Sequence, residues 1–177
     1  VETEILDSQE NKISSDGGKV LSSLGYRISK DTRDNRFNPT SGYYYALSEQ
    51  FAGLGGDVNY LSSVLKGSYY YKYDYVDLIV GIGAEYGNIE GLGENISKSN
   101  RFFLGGRKIR GFDSSGVGPR VSANSSASAV GGNNYYTGRV SIRSGIGIPS
   151  ETALQWTVFT DFGTLWGVDD TIDNYAV

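Results

Sequence analysis

Cysteine, histidine and methionine are missing from this chain altogether. Without cysteine there is no disulfide framework and no thiolate site. Without histidine the commonest metal ligand and general base is gone, and a Ser-His-Asp hydrolase is excluded outright. No run of 18 apolar residues exists, so there is no transmembrane helix, although a β membrane protein would show no such run either. The first residues, VETEILDSQENK, have neither the basic start nor the apolar stretch of a secretory signal. The chain therefore reads as mature or as cut from something longer. Its net charge of −4 offers no global basic field, so nucleic acid is not an expected partner. What remains is 177 residues with 25 glycines and 14 tyrosines but only 3 prolines, enough for one domain or a large piece of one.

The dominant pattern is strict alternation, the mark of strands with two unlike faces. In 76–87 one face reads Val76, Leu78, Val80, Ile82, Ala84, Tyr86, and the other Asp77, Ile79, Gly81, Gly83, Glu85, Gly87. In 136–148, Tyr136, Val140, Ile142 and Ile146 oppose Thr137, Arg139, Ser141 and Arg143. In 152–163, Leu154, Trp156, Val158 and Phe162 oppose Gln155, Thr157, Asp161 and Gly163. Similar patterns run through 20–30, 42–52 and 59–73. No segment has a convincing 3.6-residue period, so no long helix is expected. The connections are a polar turn at 31–42, a glycine loop at 53–57, a tight turn at 72–75, a very long loop at 88–133 and a short turn at 148–151. Short turns at one end and longer loops at the other are typical of outer-membrane barrels.

Two packings suit this pattern. A soluble sandwich would press the apolar faces together in a core. A membrane barrel would turn them toward lipid and enclose the polar, glycine-rich faces. Tyr43, Tyr45, Tyr69, Tyr71 and Tyr73 lie near strand ends on the apolar side, as in an interfacial aromatic girdle, but tyrosine also simply favours strands. Six full strands, with a possible seventh at VETEILD, do not make a usual bacterial barrel, which is even-numbered with at least eight. An open sheet in lipid would leave costly unpaired edges. Either strands are missing from this chain or it is not a membrane barrel.

The segment 102–120, FFLGGRKIRGFDSSGVGPR, resembles the hallmark loop of the Omp85 superfamily. That loop carries a V/I-R-G-F/Y tetrad, here Ile109, Arg110, Gly111 and Phe112. Four further segments resemble family elements in the same order: 22–42 with its DTRD…PTSG turn, GGN at 131–133, the strand at 135–149, and FTDFGTLW at 159–166 with Phe159, Asp161 and Gly163. The ending Gly116, Gly118, Pro119, Arg120 is most similar to the branch that inserts barrels into the bacterial outer membrane. The resemblance implies an all-β fold: an antiparallel segment, about strands 8 to 13, of a 16-stranded transmembrane barrel with a long inward-folded loop. Residues 1–177 would then be part of one C-terminal barrel domain, with POTRA domains and closing strands outside the chain.

The resemblance also implies a function and a site. The function is insertion and folding of outer-membrane proteins, driven by folding of the client, with no bond-making chemistry and no cofactor. Expected partners are outer-membrane lipid, unfolded outer-membrane protein clients and accessory assembly lipoproteins. At the site, Arg110 would reach from the loop to Asp161 on the barrel wall, since a guanidinium fork can bind a carboxylate through two parallel bonds. Gly111 would permit the turn that aims the fork. Ile109 and Phe112 would pack the tip against small wall residues, and Gly163 would leave room for close approach. Gly105, Gly106, Gly116, Gly118, Pro119 and Arg120 would support the loop. An acidic residue common in the family near Ser141 is missing, and Arg139 and Arg143 flank the place, which puts a second carboxylate for Arg110 in question. The blander alternative is a solvated pair that contributes about 0–1 kcal/mol.

Other constellations read as structural. Asp31 and Asp34 in DTRDNR are taken as turn caps rather than cation ligands. DFGT at 161–164 matches a kinase motif by chance, and GVDDTID at 167–173 lacks EF-hand spacing. Competing functions are an Omp85-type secretion transporter, TamA-like or of the two-partner kind, and a soluble all-β module whose basic loop captures an anion. An enzyme would need a carboxylate pair, and no spacing singles one out.

Overall fold

The computed structural model describes residues 2–5, 8–13, 20–121, 128–145 and 154–169, the first two stretches as backbone only. It is all-β. Two short strands, β1 (Glu2–Ile5) and β2 (Ser8–Ile13), precede six long ones: β3 (Val20–Asp31), β4 (Gly42–Ala52), β5 (Tyr60–Tyr73), β6 (Leu78–Gly91), β7 (Asn134–Gly145) and β8 (Gln155–Trp166). From β3 to β8 each strand pairs antiparallel with the next in sequence. Both short strands pair with β3, and Ile5 opposite Ile28 followed by Ser8 opposite Gly25 keeps them in one register. The described sheet is open, with β8 at one edge. No described helix is long and apolar enough to cross a membrane, which says nothing about crossing by strands.

The turns show why the chain reverses where it does. After β3, the Asp34 carboxylate accepts the amides of Thr40 and Ser41 and the Thr40 hydroxyl. Asn35 caps the amides of Phe37 and Asn38, and the Arg33 guanidinium forks onto Asp31. DTRDNR is thus a turn-locking device. After β5, Asp74–Val76 forms a single 3-10 turn and Asp77 takes a left-handed φ of 46°, a conformation that Asp tolerates better than most residues.

Register puts every odd-numbered residue of β6 on one face and every even-numbered one on the other. The even face, with its partners on neighbouring strands, is the apolar one, and it is uncovered: Leu65, Ile82 and Val158 are 54%, 51% and 63% exposed. No second sheet packs over it among the described residues, so the sandwich expectation fails here. At the turn end of this face, Tyr43 stands opposite Tyr69. There the Tyr43 and Tyr45 rings stack at 6.1 Å and those of Tyr71 and Tyr73 meet edge-on at 4.6 Å.

The buried core lies on the other face, between the polar wall and the long loop. One cluster joins Leu21, Ala52, Tyr60 and Ile89 of the wall to Ile96 of the loop. A second joins Tyr135 and Leu165 of the wall to Leu104 and Ile109 of the loop.

Several boundaries differ from the sequence reading. Strand β6 runs on to Gly91 because Asn88 to Gly91 keep pairing with β5, as far as Gly91 opposite Tyr60, so the loop is 92–133. Strands β7 and β8 are displaced to 134–145 and 155–166. The turn expected at 72–75 sits at 74–77, since Tyr73 still pairs with Leu78. The turn at 148–151 lies outside the described residues. The expected asymmetry of connections rests on 92–133 alone, because 53–59 shares its end and is shorter than 32–41 opposite.

Candidate functional site

The loop 92–133 folds back along the polar wall and holds itself in shape before it meets that wall. Phe102 and Gly132 exchange both backbone hydrogen bonds, and Val117 donates to Leu104. Gly105 lies against Asp113 and Gly116, and the Gly106 amide donates to the Phe112 carbonyl, closing the tip. The Pro119 carbonyl accepts the Val130 amide, and Arg120 donates to the Ser115 carbonyl. Gly118 passes so close to Leu165 that a Cβ there would lie 2.6 Å from its side chain.

Three consecutive residues then dock the tip across β6, β7 and β8. Arg110 donates through Nε at 2.6 Å and Nη2 at 2.9 Å to the two carboxylate oxygens of Asp161, and its backbone amide adds a third bond at 3.1 Å. This is the fork-to-fork geometry that makes arginine and carboxylate a specific pair. The Arg110 guanidinium also lies 3.1 Å from the Phe159 ring centroid, a cation–π contact. Ile109, 3% exposed, points into the cluster with Leu104, Tyr135 and Leu165. Gly163 makes this approach possible: a Cβ on it would meet the Tyr136 carbonyl at 2.5 Å and the Ile109 side chain at 3.1 Å. Gly111 follows with φ +91°, which turns the chain away from the wall. That turn explains why Phe112 does not pack as expected. It is 53% exposed, on the far side of the turn from Ile109.

Asp161 has a second cation. Arg139, directly opposite on β7, donates to it at 2.7 Å, and the Asp161 side chain is only 2% exposed. The arrangement is two guanidinium groups on one carboxylate, not two carboxylates on Arg110. Ser141 bonds instead to the Gly81 carbonyl.

A second clamp escaped the sequence reading. Lys108 donates to Glu85 on β6 at 2.6 Å and to the Tyr135 hydroxyl at 2.8 Å, and that hydroxyl donates to the same Glu85 oxygen. Lys66 stands 3.4 Å from the other oxygen. Glu85 was visible on the polar face of its strand. Nothing periodic in the loop marks Lys108 as its partner, however.

Chemically the site binds and braces. Among the described residues no group of three acidic side chains is placed to hold a metal ion. The GGN segment closes the loop at its base, where Asn133 donates to Asp169 and to the Gly167 carbonyl.

Comparisons agree with this geometry. The Omp85 superfamily domain matches residues 2–176. The chain is 35% identical over 168 residues to the outer membrane protein assembly factor BamA of Neorickettsia risticii (strain Illinois), covering 94% of this chain and 22% of that protein. A SAM50-like protein of Drosophila melanogaster is 32% identical over 114 residues, covering 60% of this chain and 25% of its own length. Among solved structures, BamA from Haemophilus ducreyi lacking POTRA domains 1–3 superposes with a TM-score of 0.75 at 17% identity, over 84% of this chain and 30% of that one. The chain thus spans only 22% and 25% of the two curated relatives.

Proposed function

The chain belongs to the Omp85 superfamily, and from that premise we propose that it forms part of the barrel wall, with the inward loop, of an outer-membrane β-barrel assembly factor. The factor sits in the bacterial outer membrane and inserts and folds outer-membrane protein clients, with accessory lipoproteins as further partners. Its POTRA domains and closing strands lie outside residues 1–177. It acts by holding surfaces rather than by making bonds.

The observation that carries this reading is the Arg110 fork on Asp161, made on the polar face of a sheet whose other face is apolar and uncovered. A hydrophobic band outside and a charged, loop-filled interior is the arrangement of an outer-membrane barrel. The names of the relatives favour assembly over secretion. In cells depleted of the native factor, the protein carrying Arg110→Met is expected to restore less folded, heat-modifiable outer-membrane protein than the unaltered one. If the variant reaches the membrane, loses protection of the loop and still restores assembly fully, the brace plays no part in the function.

A further inference from the structure

Beside the docked loop tip the polar wall carries more positive charge than its own acids can balance, although the chain as a whole has a net charge of −4. A cavity of about 230 Å³ opens there between wall and loop. Five cations line it: Lys66 of β5, Arg139 of β7, Arg33 of the first turn, and Arg107 and Lys108 of the loop. Glu85 is the one acid among the described residues around it. Each carboxylate in reach is already shared by two cations. Arg33 and Arg36 meet Asp31, Lys66 and Lys108 meet Glu85, and Arg110 and Arg139 meet Asp161.

Two further guanidinium groups come on top of these pairs. Arg107 accepts a bond from Arg139 at its carbonyl, but its side chain has no described partner. Arg143 lies two positions beyond Ser141, which lines the cavity, and its Nε and Nη2 are buried without an acceptor. The floor is bare at Gly83, between Ser68 on β5 and Arg139 on β7. A Cβ on Gly83 would meet nothing nearer than the Gly67 carbonyl at 3.8 Å.

Cations gathered in a cleft with low-dielectric walls focus a field that draws in anions. We propose that this cavity binds a free doubly charged oxyanion of the phosphate class. The donors converge from three directions: Lys66 and Arg139 from the wall, Arg33 from the turn and Arg107 from the loop. A tetrahedral anion offers acceptors to all three, whereas a planar carboxylate offers them in one plane. Arginine suits it, because its fork matches phosphate as well as carboxylate. The cavity is on the inner face, with the sheet between it and the apolar face, so a dissolved anion reaches it and a lipid headgroup does not. Bound there, the anion joins Arg107 to the wall, which makes it a third tie on the docked loop.

This goes beyond the assembly reading and can fail without it. The full-length protein in detergent is titrated with inorganic phosphate by calorimetry, with sodium chloride holding the ionic strength constant. One phosphate per protein is expected. The anion binds the docked loop and not the free one, so at ten times its Kd chymotrypsin should cut after Phe112 about tenfold more slowly than without phosphate. Arg107→Gln should lose most of that protection. Ser68→Glu puts a carboxylate on the cavity floor; it should slow cleavage in phosphate-free buffer and remove the response to phosphate. The proposal is overturned if phosphate binds no better than chloride, or if Arg107→Gln is protected as strongly as the unaltered protein. Protection by a hexaglutamate peptide but not by phosphate would also overturn it, since the cavity would then take an acidic chain.

Discussion

Replacing Arg110 by methionine is the sharpest perturbation of the loop brace. The change removes two charge-assisted bonds, at 2.6 and 2.9 Å, while the backbone amide keeps its own bond to Asp161. Asp161 is not orphaned, because Arg139 still holds it at 2.7 Å. The loss therefore falls below the roughly 3–5 kcal/mol of a buried charge left alone. Arg110 is also partly exposed, with 37% of its side chain accessible, and water compensates part of what is removed. About 2–3 kcal/mol is a reasonable sum for two such bonds, or roughly thirty- to hundredfold in the population of undocked loop. Arg110→Lys keeps the charge but not the fork and should cost about half as much. Limited proteolysis of the protein in membranes reads that population directly, provided the loop reseals faster than it is cut. Equal cleavage rates for Arg110→Met and the unaltered protein would refute the reasoning. The structure adds a further point: exchanging the two charges, Arg110→Asp with Asp161→Arg, should not restore docking. The new arginine would face Arg139 across the strand pair, so rescue requires Arg139 to be neutralised as well.

Gly163→Ala should undock the tip by about 1–3 kcal/mol through overpacking, because its Cβ would sit 2.5 Å from the Tyr136 carbonyl; normal protease resistance of the loop would contradict this. Leu104→Ala, at a site 1% exposed between Tyr135 and Leu165, should cost about 2–5 kcal/mol and raise loop cleavage at least as much as Arg110→Met does. Leu65→Arg puts a charge on the apolar face and should lower folding stability by about 2–4 kcal/mol in bilayers if near the midplane; an unchanged denaturation midpoint would sink the lipid-facing assignment. Bonds from the Thr40 hydroxyl and the Ser41 and Thr40 amides hold the Asp34 carboxyl well below its usual range. Since the folded value is the depressed one, Asp34 stabilises the turn above the ordinary value of about 4 and loses that contribution as pH falls through the folded value. The stability gap between the unaltered protein and Asp34→Ala should thus be full at pH 7 and shrink only in strong acid, as read by thermal unfolding.

How much was legible depended on which physical rule governed each residue. Strands β3, β4 and β5 were located to within a residue or so because a two-faced strand must alternate, and alternation survives in sequence. The end of β6 was missed because Asn88, Glu90 and Gly91 look like loop. Yet Ile89 keeps the inner parity of Glu85 and Gly87 and packs on Leu21 and Tyr60. Asp161 could be placed on the polar face by parity alone, and its partner came from the resemblance of Ile109 to Phe112 to a family tetrad. Lys108 and Glu85 had no such help. A loop has no period, so which of four cations in 107–120 meets which wall acid is a matter of three-dimensional path. Phe112 was misjudged for the same reason: aromatic character says that burial is favourable, but the left-handed turn at Gly111 decides which way the ring goes.

The two kinds of contact that hold the loop do different work. Leu104 and Ile109 bury apolar surface against Tyr135 and Leu165, and burial is favourable in almost any register because it is non-directional. On that force alone the tip could slide along the wall. Arg110 and Lys108 cannot slide, because each meets a carboxylate on a different strand, β8 for one and β6 for the other. Ionic pairs at partly wet sites add little net stability, but a wrong register would leave Asp161 and Glu85 without the loop cations that face them. The apolar cluster therefore sets how tightly the loop is held, and the two clamps set where. A variant with both clamps neutralised and the cluster intact should still keep its loop on the wall, but in more than one position. Crosslinks from a cysteine introduced at Phe112 would show this cleanly, since the chain has no cysteine of its own. A single unchanged crosslink pattern would mean that packing alone fixes the register.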